Sequence, residues 1–250
     1  MSCSSQLFQS LTVMQKALFR YWMILWLAAV CLFLYPINTF PLRIGLLVSL
    51  LGVWIGCFVF SRRWKITRLA ILVTSLLAVG FLICPGRPYD RQQLQGAYVH
   101  ALRSYEGTRY IWGGENKFGI DCSGLVRAGL IKASFQQGIL TANPSLLRYS
   151  LSLWWHDSTA QALGEEYRNQ TKRILTAANI NAGLNPSEAL PGDIAVTATG
   201  VHVLAYLGNE EWIEADPNLR KVVIVKVPAI RNPWFQEPVH LMRWTILEVK

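Results

Sequence analysis

RYIWGGENKFGIDCSGLV, residues Arg109–Val126, holds the pattern from which the rest of the chain can be read. A Gly-Gly pair breaks the chain. Asp121, Cys122, Ser123 and Gly124 follow, and then an apolar series, Leu125, Val126, Leu130 and Ile131. Such an order predicts a turn feeding a helix that starts at Cys122, with Asp121 or the preceding turn as its cap. The leading N–H groups of a helix have no partners within it, and the helix dipole points its positive end at them. Both effects favour thiolate, the form in which cysteine attacks, and the same N–H groups can hold an oxyanion. Gly124 removes side-chain bulk one turn in, where a substrate would approach the backbone.

The other fates of a cysteine find little support. Cys3, Cys31, Cys57, Cys84 and Cys122 show no paired metal-ligand spacing. Cys31 and Cys57 lie inside apolar runs and read as small hydrophobes. Nothing local supports a Cys84–Cys122 disulfide. No metal site is expected.

A nucleophilic cysteine needs a base. Among His100, His156, His202 and His240, the best placed is His202. It sits on a predicted strand, VHVLAYL, after a Pro-Gly-Asp turn, with Leu204 and Tyr206 on its own face. The base needs an orienting group. The next strand, EWIEAD, puts Trp212, Glu214 and Asp216 on one face. Glu214 is the first choice and Asp216 the alternative third residue.

Around these residues the polar half divides in two. Residues 90–104 read as a helix, with Leu94, Ala97, Ala101 and Leu102 inward. A second helix starts at Cys122. Residues 133–190 read as mostly helical or irregular, with a helix around 158–181. After Pro191-Gly192-Asp193 the pattern changes to strands at 193–199, 201–207, 211–216, 221–227 and 240–249. Helices first and strands later predict an α+β domain with an antiparallel sheet.

The amino-terminal part differs. The chain is 52% hydrophobic and 16% charged, with a net charge of +9. Residues 1–84 contain no Asp or Glu and seven Lys or Arg, while the remainder holds 17 basic and 15 acidic residues. The excess charge therefore belongs to the apolar part, and a nucleic-acid partner is not expected. Three uncharged apolar runs predict transmembrane helices at about 18–37, 43–60 and 66–84. Lys16, Arg20 and the 61–68 loop carry most of the basic residues, while the intervening loop has only Arg43. This bias predicts a multi-pass protein of the cell (inner) membrane, with a cytoplasmic N-terminus and an extracytoplasmic carboxy-terminal domain. Pro85-Gly86-Arg87-Pro88 marks the boundary, giving a membrane anchor at 1–84 and a globular domain at 85–250.

The motifs Tyr110-Ile-Trp-Gly-Gly, Asp121-Cys-Ser-Gly-Leu-Val, Leu190-Pro-Gly-Asp and His202-Val-x-x-Tyr-Leu-Gly occur in this order. Together they resemble the NlpC family of papain-like cysteine peptidases, over about residues 90–227. The resemblance implies a peptidoglycan endopeptidase that cuts amide bonds in stem peptides or cross-links, without a cofactor. Cys122 would be the nucleophile and His202 the base. Tyr110 would shape the site, and Asp121 and Ser123 would hold the amino end of the substrate. Amidase, acyltransferase or transpeptidase chemistry is the alternative on the same scaffold, and a non-catalytic wall- or partner-binding module is the alternative outside enzymes. The expected partners are a peptidoglycan peptide, the lipid bilayer through 1–84, and a membrane or periplasmic protein.

The sequence departs from the family pattern twice. Where the family usually has Ile-His-Ala, this chain has Ile213-Glu214-Ala215. The 80 positions from Cys122 to His202 exceed the usual spacing. The surplus, within 135–175 and including Trp154, Trp155 and His156, is expected to cover the cleft or meet a partner.

Overall fold

The structure is a computed structural model that describes residues 3–183 and 188–248. The chain divides into two compact units.

Unit one comprises Met1–Tyr35 and Thr39–Gly80. Its helices are α1 (Cys3–Leu34), α2 (Phe40–Phe60) and α3, which runs Lys65–Ile83. Among the described residues, three stretches are long and apolar enough to cross a membrane: Met14–Leu34, Phe40–Arg63 and Lys65–Ile83. Helical rise makes even the 19-residue stretch about 28 Å long, close to the roughly 30 Å hydrocarbon core of a bilayer. The first run was expected to reach residue 37. It stops at Leu34 because proline, here Pro36, drives the residue before it out of the helical region. Helices α1 and α2 pack through small residues, as membrane helices often do. A Cβ on Gly56 would lie 1.9 Å from Trp22 Cδ1, and the Trp22 indole donates to the Val53 carbonyl at 3.0 Å.

Unit two comprises Pro36–Asn38 and Phe81–Lys250. Helix α4 (Arg91–Arg103) starts where Asp90 accepts from the amides of Gln92 and Gln93, and it buries Leu94, Tyr98, Ala101 and Leu102. The short hairpin of β1 (Glu115–Asn116) and β2 (Gly119–Ile120) leads into α5, Cys122–Leu140. Helix α5 is the spine of the unit, buried along most of its length. Gly129 admits Leu102 and Tyr98 from α4. Helix α6 (Pro144–Trp155) folds back onto α5, where Gly138 makes room for Leu147. A short α7 (Ala160–Gly164) follows.

Next come β3 (Thr171–Ala177), α8 (Ile180–Gly183), β4 (Ile194–Thr197) and β5 (Val203–Gly208). The chain continues through β6 (Glu211–Asp216), β7 (Lys221–Lys226) and β8, Val239–Trp244. The six strands form one antiparallel sheet in the order β3-β8-β4-β5-β6-β7. Side chains alternate across it. Ile194, Val203, Ala205, Ile213, Ala215 and Met242 join the core formed with α4 and α5. Ala195, Leu204, Tyr206, Trp212 and Leu241 enter a second core with Phe235. The result is an α+β fold with helices against an antiparallel sheet.

Two expectations need correction. The helix predicted around 158–181 is absent as such: α7 ends at Gly164, and β3 occupies Thr171–Ala177. The stretch 133–190 is therefore not simply helical, and its residues 184–187 lie outside the described part. β3 is an edge strand whose partner, β8, lies far along the chain. Its pattern is broken by a register shift between Arg173 and Leu175 and by the exposed Lys172 and Arg173. Such bulges and charges protect sheet edges and also obscure period-two alternation. The last strand stops at Trp244, where a 3₁₀ turn, Thr245–Leu247, begins; Val249 lies outside the described residues.

Candidate active site

Cys122 is the first residue of α5, and Asp121 is its cap. One Asp121 carboxylate oxygen accepts from the Gly124 amide at 2.6 Å and from the Ser123 hydroxyl at 3.1 Å. The other accepts from the Gly113 amide at 2.7 Å. The acid thus ties the Gly113-Gly114 turn to the helix start. The Asp121 carbonyl takes the Leu125 amide. The N–H groups of Cys122 and Ser123 lie in the first turn, where a helix offers them no carbonyl of its own.

The glycines serve close backbone packing. A Cβ on Gly124 would sit 2.1 Å from the Gly114 carbonyl oxygen. The absent side chain therefore makes room for the turn, and not for a substrate as the sequence suggested. On the other side of that turn, Ile37 bridges Gly114, and the Glu115 amide donates to the Pro36 carbonyl at 2.9 Å.

His202 immediately precedes β5 and is 1% exposed. Thr197 holds its backbone: the His202 amide donates to the Thr197 hydroxyl at 3.0 Å, and the Thr197 amide donates to the His202 carbonyl at 3.0 Å. His202 Nε2 lies 2.7 Å from Glu214 Oε2. The Cys122 thiol lies close enough to the ring to favour its charged form. With Nε2 committed to Glu214, Nδ1 is the nitrogen left for sulfur. The Val201 carbonyl lies 4.0 Å from Cys122 Sγ, and the Val201 residue itself is well exposed.

Burial is the largest influence on His202 and disfavours its charged form. The hydrogen bonds and charges of Cys122 and Glu214 act the other way and prevail, bringing the ring up to about 9. Tyr110 is pushed up to about 12 by burial, then by the charges of Cys122, Asp121 and Asp216. It therefore stays a neutral phenol beside the thiol.

The structure brings Cys122, His202 and Glu214 together, with Tyr110, Asp121 and Ser123 around the thiol. Asp216 shares the strand face of Glu214, but one of its oxygens takes the turn amides of Asn218 and Leu219 at 2.6 and 3.3 Å. His156 and His240 contact Ser152 and Thr176 instead, and His100 is exposed on α4. No group of three or more metal-ligating side chains occurs among the described residues.

The surplus segment is held against α5 by Arg127. Its guanidinium is 2% exposed and donates to the Leu153 and His156 carbonyls at 2.9 and 3.2 Å and to Asp157 at 2.6 Å. It also pairs with Glu115 of the hairpin beside the site.

Sequence reasoning missed three residues around the ring. Thr197 is one. Trp234 stacks on His202 with centroids 4.2 Å apart and planes at 23°. Asn232 donates to Glu214 Oε1 at 2.5 Å and accepts the Trp234 amide at 3.0 Å. Asn232-Pro233 was visible as a turn signal, but nothing local tied it to a strand eighteen residues earlier.

Among solved structures, the chain is similar to NlpC2 from Trichomonas vaginalis, at 19% identity and TM-score 0.39 over 66% of this chain and 50% of that one. It is similar to the P60 domain of an antigen from M. avium subspecies paratuberculosis, at 22% identity and TM-score 0.38 over 64% and 98%. A third similar structure is the peptidoglycan hydrolase RipB from Mycobacterium tuberculosis, at 20% identity and TM-score 0.39 over 74% and 88%. The chain spans only half the length of the Trichomonas protein. No curated protein matches it. Residues 107–243, more than half of the chain, match the model of the NlpC/P60 family, and the chain belongs to that family.

Proposed function

We propose that this protein is a membrane-anchored cysteine hydrolase that cleaves amide bonds in peptidoglycan stem peptides or cross-links. Residues 1–84 form the anchor, and residues 85–250 form the hydrolase domain with an insertion around 133–190. The domain lies on the outer side of the cell membrane and the N-terminus on the cytoplasmic side. Family membership supports a cell-wall hydrolase, and the three apolar helices support the anchor.

The observation that carries the chemistry is the placement of one buried imidazole against both the Cys122 thiol and the Glu214 carboxylate. The thiol passes its proton to His202, and the thiolate attacks the carbonyl carbon of the scissile amide. The N–H groups of Cys122 and Ser123 receive the oxyanion. The imidazolium, held by Glu214, protonates the leaving amine as the C–N bond breaks. Water, deprotonated by the same ring, then hydrolyses the thioester and frees the thiol. Tyr110 shapes the site beside the thiol, and Asp121 and Ser123 engage the amino end of the substrate peptide.

The test is incubation of the full chain in detergent with purified muropeptides, followed by mass spectrometry. Wild type is expected to release peptide fragments one water heavier in sum than the substrate, and Cys122→Ala none. Product masses separate endopeptidase from amidase and transpeptidase action. Intact muropeptides with wild type, or equal cleavage by Cys122→Ala, would refute the proposal.

A further inference from the structure

Glu214 is a buried carboxylate with two oxygens to satisfy. Oε2 meets His202, and Oε1 receives the Asn232 amide at 2.5 Å. Its register partner on β7 is Val223. The neighbouring β5 residues, Leu204 and Ala205, are apolar and buried. The titratable groups near the contact are His202 and, beyond it, Cys122; Asp216, on the same strand, is tied to its own turn. One neutral donor therefore decides which way the carboxylate is turned.

The orientation of Asn232 is set by chemistry. The carboxylate requires a donor, and the Trp234 amide requires an acceptor, so only one placement of the amide group serves both. The segment carrying it is anchored on both sides. Phe235 is fully buried in the second core. Asn181 on α8 accepts the Ala229 amide at 2.7 Å and donates to the Phe235 carbonyl at 3.3 Å. Asn232 also begins the turn that stacks Trp234 on the His202 ring.

We propose that Asn232 is a positioning residue of this reaction, its side-chain amide fixing the Glu214 carboxylate so that the second oxygen is turned onto His202. This inference rests on the Cys122–His202–Glu214 reading. It makes the site a relay of four side chains from Asn232 to sulfur. Trp234, brought in by the same turn, covers one face of the ring.

The discriminating substitution is Asn232→Asp. It keeps the size and the acceptor for the Trp234 amide, since aspartate caps as well as asparagine. It removes the neutral donor and places a second acid beside Glu214. Two adjacent carboxyl groups can hold the donor geometry only while they share a proton. The full chain carrying N232D is therefore expected to lose at least about tenfold in kcat, with KM within about twofold, and to melt closer to wild type at acid pH, where the shared proton is held, than at neutral pH. The alkaline limb of its rate profile should move to lower pH. An Asn232→Ala chain should lose activity and also melt earlier, because it loses the cap.

A second readout needs no substrate: alkylation of Cys122 by iodoacetamide across pH, followed on its own peptide by mass spectrometry. Wild type and His202→Ala should differ in profile, and N232D should differ from wild type. If His202→Ala alkylates like wild type, the Cys–His reading itself falls. If His202→Ala differs but N232D matches wild type in profile and in kcat, the positioning role of Asn232 alone is overturned, and the residue is only a turn cap.

Discussion

His202 Nε2 lies 2.7 Å from Glu214 Oε2, and both side chains are shut away from solvent. A carboxylate in this position does more than orient the ring, as a neutral partner would. It supplies a full negative charge in a medium of low polarity, where that charge favours the imidazolium.

The first prediction follows from that charge. Replacing Glu214 by Gln keeps a hydrogen-bonding side chain but removes the charge that helps hold His202 up to about 9. The imidazolium, the acid of the proposed reaction, would then be lost at lower pH. The rate profile of wild type should decline as pH rises through about 9, and that of E214Q should decline earlier. At the optimum, kcat should fall by roughly 100-fold, the scale of a general acid–base contribution. The check is kcat and kcat/KM for muropeptide cleavage between pH 5 and about 10.

The same pair bears on stability. The folded-state value of His202 lies above the ordinary histidine value of 6.5, so the folded state binds its proton more tightly than the unfolded one. The contribution is fully present below 6.5 and is lost as pH rises through about 9. Urea unfolding of wild type followed across this window should show declining stability. E214Q should show a smaller decline.

Asp121 joins the Gly113 turn to the start of α5. Asp121→Ala should lower stability by about 1–2 kcal/mol, the cost of a lost cap. It should also lower kcat by roughly tenfold or more, because the N–H groups beside Cys122 lose their orientation. Denaturant titration and steady-state kinetics on one preparation would separate the two effects.

Gly124→Ala puts a methyl 2.1 Å from the Gly114 carbonyl. The obstacle is backbone, which cannot swing aside as a side chain can. Overpacking of this kind is expected to cost about 1–3 kcal/mol and to shift the turn beside the thiol. The expected result is a folded chain with a lower melting temperature and little activity.

Arg127→Ala would leave Glu115 and the carbonyls at the end of α6 without their cation. Removing one partner from a buried ionic network typically costs about 3–5 kcal/mol. Limited proteolysis should then cut first within 153–160, because this guanidinium holds that segment to α5.

Much of the fold was legible in the sequence. The apolar runs, the Gly-Gly turn before Asp121-Cys122 and the alternation in VHVLAYL and EWIEAD are local signals with a fixed period. Each registers a face or a boundary without reference to distant residues. Glu214 and Asp216 share a strand face; the structure sets Glu214 against His202 and Asp216 on its own turn. β3 was not legible, because its pairing with β8 comes from far along the chain and its own pattern is broken by a bulge. Gly124 was legible as a close approach, but not as an approach by the Gly114 carbonyl.

The three apolar helices, the α+β order of the second unit, and the candidates Cys122, His202 and Glu214 can be read along the chain. These depend on periodicity and on residue chemistry, which a chain carries along its length. What surrounds them comes from packing. It set Asn232 on the free oxygen of Glu214, Trp234 on the imidazole, Thr197 on the His202 backbone and Arg127 beneath the surplus segment. Apart from Thr197, which is one hairpin turn from His202, those contacts join elements far apart in the chain that no local pattern links.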